Sequence, residues 1–200
     1  MLILKLILLY QKILYILRTQ FFSFIFKTKF KKVGLGSKFE IYGKVYFDEN
    51  ITIDDNVKII VEKGASLIIG KNTFIGENVY IKCYGGKIEI GSNVSINSKS
   101  FLNGAGDLYI GNNTRIGTQS IMISSNHNFK NSNILMREQG ITRKGIYVGE
   151  NIWFGARVTV LDNVNILDDT VIGAGAVVSK SITEKGVYVG VPAKKRENGL

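Results

Sequence analysis

The chain has 200 residues, 45% of them hydrophobic and 22 of them glycine, which suits one domain with a substantial core and excludes a disordered chain. Its single cysteine, Cys83, and single histidine, His127, exclude an intrachain disulfide and a Cys/His zinc cluster within one chain, so no metal is expected. The net charge of +10 is concentrated before residue 39, where there are basic residues and no acid; the near-neutral body lacks the basic face of a nucleic-acid binder.

The chain opens MLILKLILLYQKILYILRTQFFSFIFKTKFKK. Lys5, Gln11, Lys12, Arg18 and Thr19 recur at a spacing that puts them on one narrow polar stripe of an otherwise apolar helix. Residues 1–32 are therefore expected to form an amphipathic helical segment, followed by a domain over 33–200. The segment has no short charged n-region and no small-residue cleavage site, which speaks against a signal peptide. Lys5, Lys12 and Arg18 interrupt any run long enough to span a bilayer. The expectation is a helix in the membrane interface on the cytoplasmic face, its cations reaching anionic head groups. The alternative is a helix packed on its own domain or on a sister subunit.

Beyond Lys38 the pattern changes to a period of six: IGKNTF from Ile69, IGENVY from Ile75, IGSNVS from Ile90, IGNNTR from Ile110, IGTQSI from Ile116, VGENIW from Val148, FGARVT from Phe154, IGAGAV from Ile172. Six is not a helical period, but it suits a short strand plus a corner. The first residue points inward, Gly, Asn or Asp take unusual corner dihedrals, and a small or β-branched residue packs beside the bend. Stacked coils of this kind bury one continuous core. These hexads resemble the left-handed parallel β-helix of the hexapeptide-repeat acyltransferases, and the resemblance covers about Val45 to Pro192. It implies an all-β, three-sided prism, an exception to the usual crossover handedness.

The period lapses between Met122 and Val148, in the stretch ISSNHNFKNSNILMREQGITRKGIY. A long insertion in a solenoid is usually functional, because the stack does not need it. His127 stands at its start. By position alone it is a general-base candidate or a solvated loop residue.

The run SSNHNF, REQG, VGENIWFGARVTVLDNVNILDDTVIGAGAVVSK and GVPAKK is similar to the galactoside, maltose and polysaccharide O-acetyltransferase branch of that family. The resemblance implies acetyl-CoA as co-substrate, a sugar hydroxyl as acceptor, and a homotrimer with sites between parallel prisms. It implies His127 as general base and an acceptor-facing Asn103. It also implies an oxyanion-binding amide at Ala156, and CoA contacts at Trp153, Ala174, Ser179, Lys180, Lys194 and Arg196. Asn126 replaces the acid that often precedes this histidine. Read without the resemblance, Asn103 is a corner asparagine, Trp153 packs under the loop, the tail is a solvated basic end, and Cys83 is a small buried residue. The acceptor is expected to be a cell-surface polysaccharide or its lipid-linked precursor. N-acetylation of an amino sugar and a non-enzymatic scaffold are the alternatives.

Overall fold

The structure is a computed structural model that describes residues 2–197. One helix, α1 (Leu2–Ile25), precedes a parallel β-solenoid, the three-sided prism expected from the hexads. Its three sheets hold nine, seven and six strands. The first runs from Lys32–Val33 to Lys194–Lys195, the second from Lys38–Ile41 to Val177–Val178, the third from Lys44–Phe47 to Val164–Ile166. Successive strands fall on the first, second and third sheet in turn, so each residue is paired with one a full coil away. Ser95 lies beside Arg115 and Ile96 beside Ile116, while Trp153 lies beside Val171, a spacing of three hexads. Earlier coils carry two to four residues more, which is why their hexads read less cleanly.

The first residue of each hexad forms the core. Ile69, Ile75, Ile90, Ile96, Ile110 and Ile116 are at most 1% exposed and stack in columns along the prism. Cys83 joins the same core. Burial pushes its thiol up to about 12, against a weaker opposing hydrogen bond at the Ile88 backbone.

The corners depart from the sequence expectation in one respect. The left-handed conformation belongs to the fourth residue of the hexad, as at Asn72, Asn93 and Asn113, with φ of 58°, 58° and 60°. Asparagine tolerates this region, and its side chains form a ladder: Asn72 donates to Asn93 at 3.1 Å and Asn93 to Asn113 at 3.2 Å. The second-position glycines, Gly70 and Gly155 among them, do not have positive φ. They are there because the next coil's backbone lies against them. A Cβ on Gly70 would sit 2.6 Å from the carbonyl carbon of Gly91, and one on Gly155 would sit 2.6 Å from the amide nitrogen of Ala174.

The second half of α1 closes the N-terminal end of the prism. Phe22 and Phe26 pack on Phe39 and Phe47, with centroids 4.7 Å apart for Phe22–Phe39 and 4.9 Å for Phe26–Phe47. The C-terminal part of the polar stripe faces the protein, while Lys5, Gln11 and Lys12 remain exposed. Arg18 donates from Nε to the Gly34 carbonyl at 2.7 Å and from Nη2 to the Ser37 carbonyl. The Val33 amide donates to Thr19 Oγ1 at 3.0 Å, the Phe30 amide donates to Ser23 Oγ at 3.1 Å, and the Tyr15 hydroxyl donates to Asp55 at 2.7 Å. That last bond holds the Tyr15 phenol above its ordinary range. Arg18 and Thr19, expected among the groups turned to lipid, thus serve the unpaired backbone of the first coil. The reason is that a β-solenoid's terminal coil has an open hydrogen-bonding edge, which must be covered by polar partners.

At the other end the chain turns back. Lys194–Lys195 pairs antiparallel with Gly186–Val189, and the Ala193 amide donates to the Val177 carbonyl at 2.8 Å.

Gly70→Ala should cost about 1–3 kcal/mol, because backbone on the next coil cannot move aside as a side chain could. Denaturant melts of this variant beside Lys71→Ala, an exposed neighbour expected near wild type, measure it. Cys83 should resist a thiol reagent at neutral pH in the folded protein and react fully once the chain is unfolded, as titration with a chromogenic disulfide would read.

Candidate active site

The insertion is an arm. It leaves the second sheet after Ile121–Ile123 and rejoins the third at Ile146–Val148. Its base is a two-stranded antiparallel ladder, Asn126–His127 on Ile141–Thr142, with His127 opposite Ile141. The excursion is pinned by amides. Asn128 Nδ2 donates to the Gln139 carbonyl at 2.9 Å, and Gln139 Nε2 donates to the Asn131 and Ile134 carbonyls, both at 2.8 Å. The return is fixed by Asp162, 6% exposed, which accepts the Gly145 N–H at 2.7 Å.

His127 is exposed beside a pocket of about 780 Å³. Asn128, Lys144, Asp162 and Asn163 line it with donors and acceptors, and Asn126 and Phe129 complete the rim. Among the described residues nothing hydrogen-bonds the imidazole, which lines the pocket without a fixed partner. Asp162 is the one acid in this lining. It, Lys144 and Gln139 were not singled out from the sequence: a corner Asp, a loop Lys and a loop Gln are common in solvated positions, and no spacing rule sets these apart. Lys144 also borders a shallower pocket on the third sheet, where Tyr109 and Tyr147 stack at 4.8 Å.

Asn103 lies in the strand Phe101–Gly104 of the second sheet, one coil before Ile123. Its Oδ1 accepts the Ala105 amide at 2.9 Å, which is the corner role. Its Nδ2 has no acceptor among the described residues. Asn103 does not line the His127 pocket.

Ala156 and Ala174 stack at the edge between the first and second sheets, where the Gly175 amide donates to the Ala156 carbonyl at 2.8 Å. The Ala156 N–H has no acceptor among the described residues, as is also the case for the amides of Glu77, Ser98 and Thr118 at the same edge. At another edge the equivalent amides of Ser92 and Glu150 are capped one coil on, by Asn112 and Asp168, both at 2.8 Å. The residue one coil on from Ala156 is Ala174, which has no side-chain acceptor. An outward backbone donor is left on a surface lined by small residues.

Trp153 is 53% exposed and sits in the first sheet between Arg115 and Val171. Ser179 and Lys180 are exposed and follow the last strand of the second sheet, on the side of that sheet away from Ala174. Lys194 and Arg196 are exposed, with no ion pair among the described residues, whereas Lys195 is held by Glu184 at 2.9 Å. Within one chain the second sheet separates His127 from Ala156, so the structure does not bring the two together. Among the described residues no three His, Cys, Asp or Glu side chains group as a metal site.

The family profile described as the hexapeptide repeat of succinyl-transferase matches residues 66–98 and 145–180. A galactoside O-acetyltransferase of Lactococcus lactis is 32% identical over 125 residues, which are 62% of this chain and 59% of that protein. WbbJ of Escherichia coli K12, named as a lipopolysaccharide biosynthesis O-acetyl transferase, is 30% identical over 142 residues, 67% of this chain and 72% of that one. This chain thus spans under two thirds of the Lactococcus protein's length. A solved structure of the N-acyltransferase AntD from Bacillus cereus has a TM-score of 0.58 at 19% identity, over 92% of this chain and 89% of that one, a likeness of fold. The repeats, the prism they build and the extent of the match to WbbJ together place this chain in the hexapeptide-repeat acetyltransferase family.

Proposed function

We propose that this chain transfers an acetyl group from acetyl-CoA to a hydroxyl of a sugar, with His127 as general base. The observation that carries the reading is the placement of the only imidazole. It is fixed by a short ladder, exposed, and set beside a pocket whose other groups, Phe129 apart, are hydrogen-bonding side chains suited to a polyol. Relatives bearing O-acetyltransferase names support the choice of reaction.

Acetyl-CoA supplies an acyl group already activated as a thioester. The protein must deprotonate a weakly nucleophilic hydroxyl and stabilise charge on the carbonyl oxygen. Neutral His127 accepts the hydroxyl proton as the oxygen attacks the thioester carbonyl, and the proton passes to the coenzyme A thiolate as the carbon–sulfur bond breaks. The free Ala156 N–H is the donor for the developing negative charge. Gly155, Ala156 and Ala174 let a thin chain lie close to the backbone. Lys180, Lys194 and Arg196, without ion pairs among the described residues, supply charge for phosphates.

His127 and Ala156 lie on opposite sides of the second sheet of one chain. Both act on one reaction only if they come from two copies. The proposed assembly is a homotrimer of parallel prisms, each site taking His127 from one copy and Ala156 from the next. The acceptor is proposed as a saccharide of the cell surface or its lipid-linked precursor. Transfer to an amino group of a sugar uses the same groups, and acetylated product analysis by mass spectrometry on paired hydroxyl and amino acceptors separates the two.

His127→Ala should lose about 10²–10⁴-fold in turnover while keeping the melting temperature and the acetyl-CoA-induced shift in it. Wild-type turnover in this variant would overturn the assignment. Ala174→Asn should cap the Ala156 amide as Asn112 caps Ser92. It should leave the melting temperature equal or higher, yet lower turnover about 10²-fold through loss of the donor. Full activity with raised stability would mean that the Ala156 amide is not used.

A further inference from the structure

The second half of α1 is docked through Tyr15, Arg18, Thr19 and Phe22, while Lys5, Gln11 and Lys12 stay exposed, and the face left outside is apolar. Leu6, Tyr10, Ile13, Leu17, Phe21 and Phe24 follow one another at three- and four-residue steps and are 45% to 81% exposed. They lie opposite Tyr15, Arg18, Thr19 and Phe22, which meet the first coil. The first half of the helix makes little contact with the prism, and Ile3 to Ile13 are exposed all round. So broad an apolar surface on one helix does not stay in water.

Two occupants could cover it, and charge and breadth choose between them. A bundle of copies buries a narrow seam and is held by opposite charges along its flanks. Here the apolar surface extends well beyond a seam, reaching Ile3, Leu4, Ile7 and Leu8 as well. No acid lies in the first 39 residues. Parallel copies would set Lys5 and Lys12 against their own kind. Lys5, Lys12, Lys27, Lys29 and Lys31 have no acidic partner among the described residues, whereas Lys32 is paired with Asp54 at 2.6 Å. An apolar face flanked by free cations fits an anionic lipid surface. No helix among the described residues is long and apolar enough to cross a membrane.

We infer that α1 is a built-in lipid-docking surface: its outward face inserts in the interfacial layer of an anionic membrane while its inward stripe stays locked to the first coil. The helix is both the end of the fold and the membrane contact. The prism is thereby held rigidly at the surface rather than tethered through a flexible linker. This goes beyond the acetyl-transfer reading and does not depend on it.

The test is flotation of the full chain with phosphatidylcholine vesicles, with and without phosphatidylserine. Wild type should float with the anionic vesicles and release at high salt down to a weaker apolar component. Leu6→Gln/Leu17→Gln/Phe24→Gln should keep the melting temperature and lose roughly tenfold or more of the binding. Lys5→Gln/Lys12→Gln/Lys27→Gln should lose roughly tenfold on anionic vesicles and nothing on neutral ones. A full chain that stays off anionic vesicles overturns the proposal, as does an apolar variant that binds like wild type. A change of mass in solution with the apolar variant overturns it too, since copies of the chain would then be the cover. Acetyl transfer to a small soluble acceptor should be the same in all variants, and a chain that floats without transferring acetyl sinks the reaction and leaves the lipid contact standing.

Discussion

Every coil of this protein rests on the backbone of the next. The hydrogen bonds that hold the stack run between coils, from Gly76 to Ile96, from Ser95 to Thr114, from Gly117 to Phe154. Contact at this range leaves no room for a Cβ at corners such as Gly70 and Gly155, although Asn97, Leu161 and Leu167 stand at the second position of others, and the fourth residue is left-handed. Between them, at the third position, the amide has no backbone acceptor among the described residues, and at some corners a side chain a coil away caps it. Asn112 and Asp168 close that position at their corners; Ala174 leaves it open. The donor proposed for chemistry is thus a by-product of the packing rule.

The arm obeys a different economy. It adds nothing to the stack, and its own amides, above all that of Gln139, give it shape. Asp162 ties it to the prism through a single buried hydrogen bond, close to where the polypeptide resumes its period. A histidine mounted near such an anchor is held in place by backbone pairing and remains open to a partner on its other side. This suits a group that must meet one substrate and, in the proposed assembly, a neighbouring prism.

Much of this was legible in the sequence. A period of six with an apolar first residue has one economical solution, and the interruption around His127 announced itself because the period stopped there. What could not be read were properties of the neighbouring coil. Glycine at Gly70 looks like a turn residue, but the reason for it sits on Gly91. Asp162 looks like any corner acid until Gly145 is seen beneath it. The orientation of α1 was legible least. A stripe of Lys, Arg and Thr on an apolar helix reads as the wet side, and no periodicity reveals that the first coil has bare backbone groups at Val33, Gly34 and Ser37 that take Arg18 and Thr19 out of it. The placement of His127 and Ala156 on opposite sides of one sheet likewise depends on counting sheets rather than residues.

The closures at the two ends of the prism limit what the repeat can do. A coil whose upper and lower faces are alike is a unit that could in principle be added without end, chain upon chain, as in a fibril. Here α1 occupies the hydrogen-bonding positions that an incoming coil would take at the start, and the returning strand Lys194–Lys195 lies across the finish. Length is therefore set by two terminators rather than by the repeat itself, and coils can be gained or lost between them by duplication or deletion while the molecule stays a discrete particle.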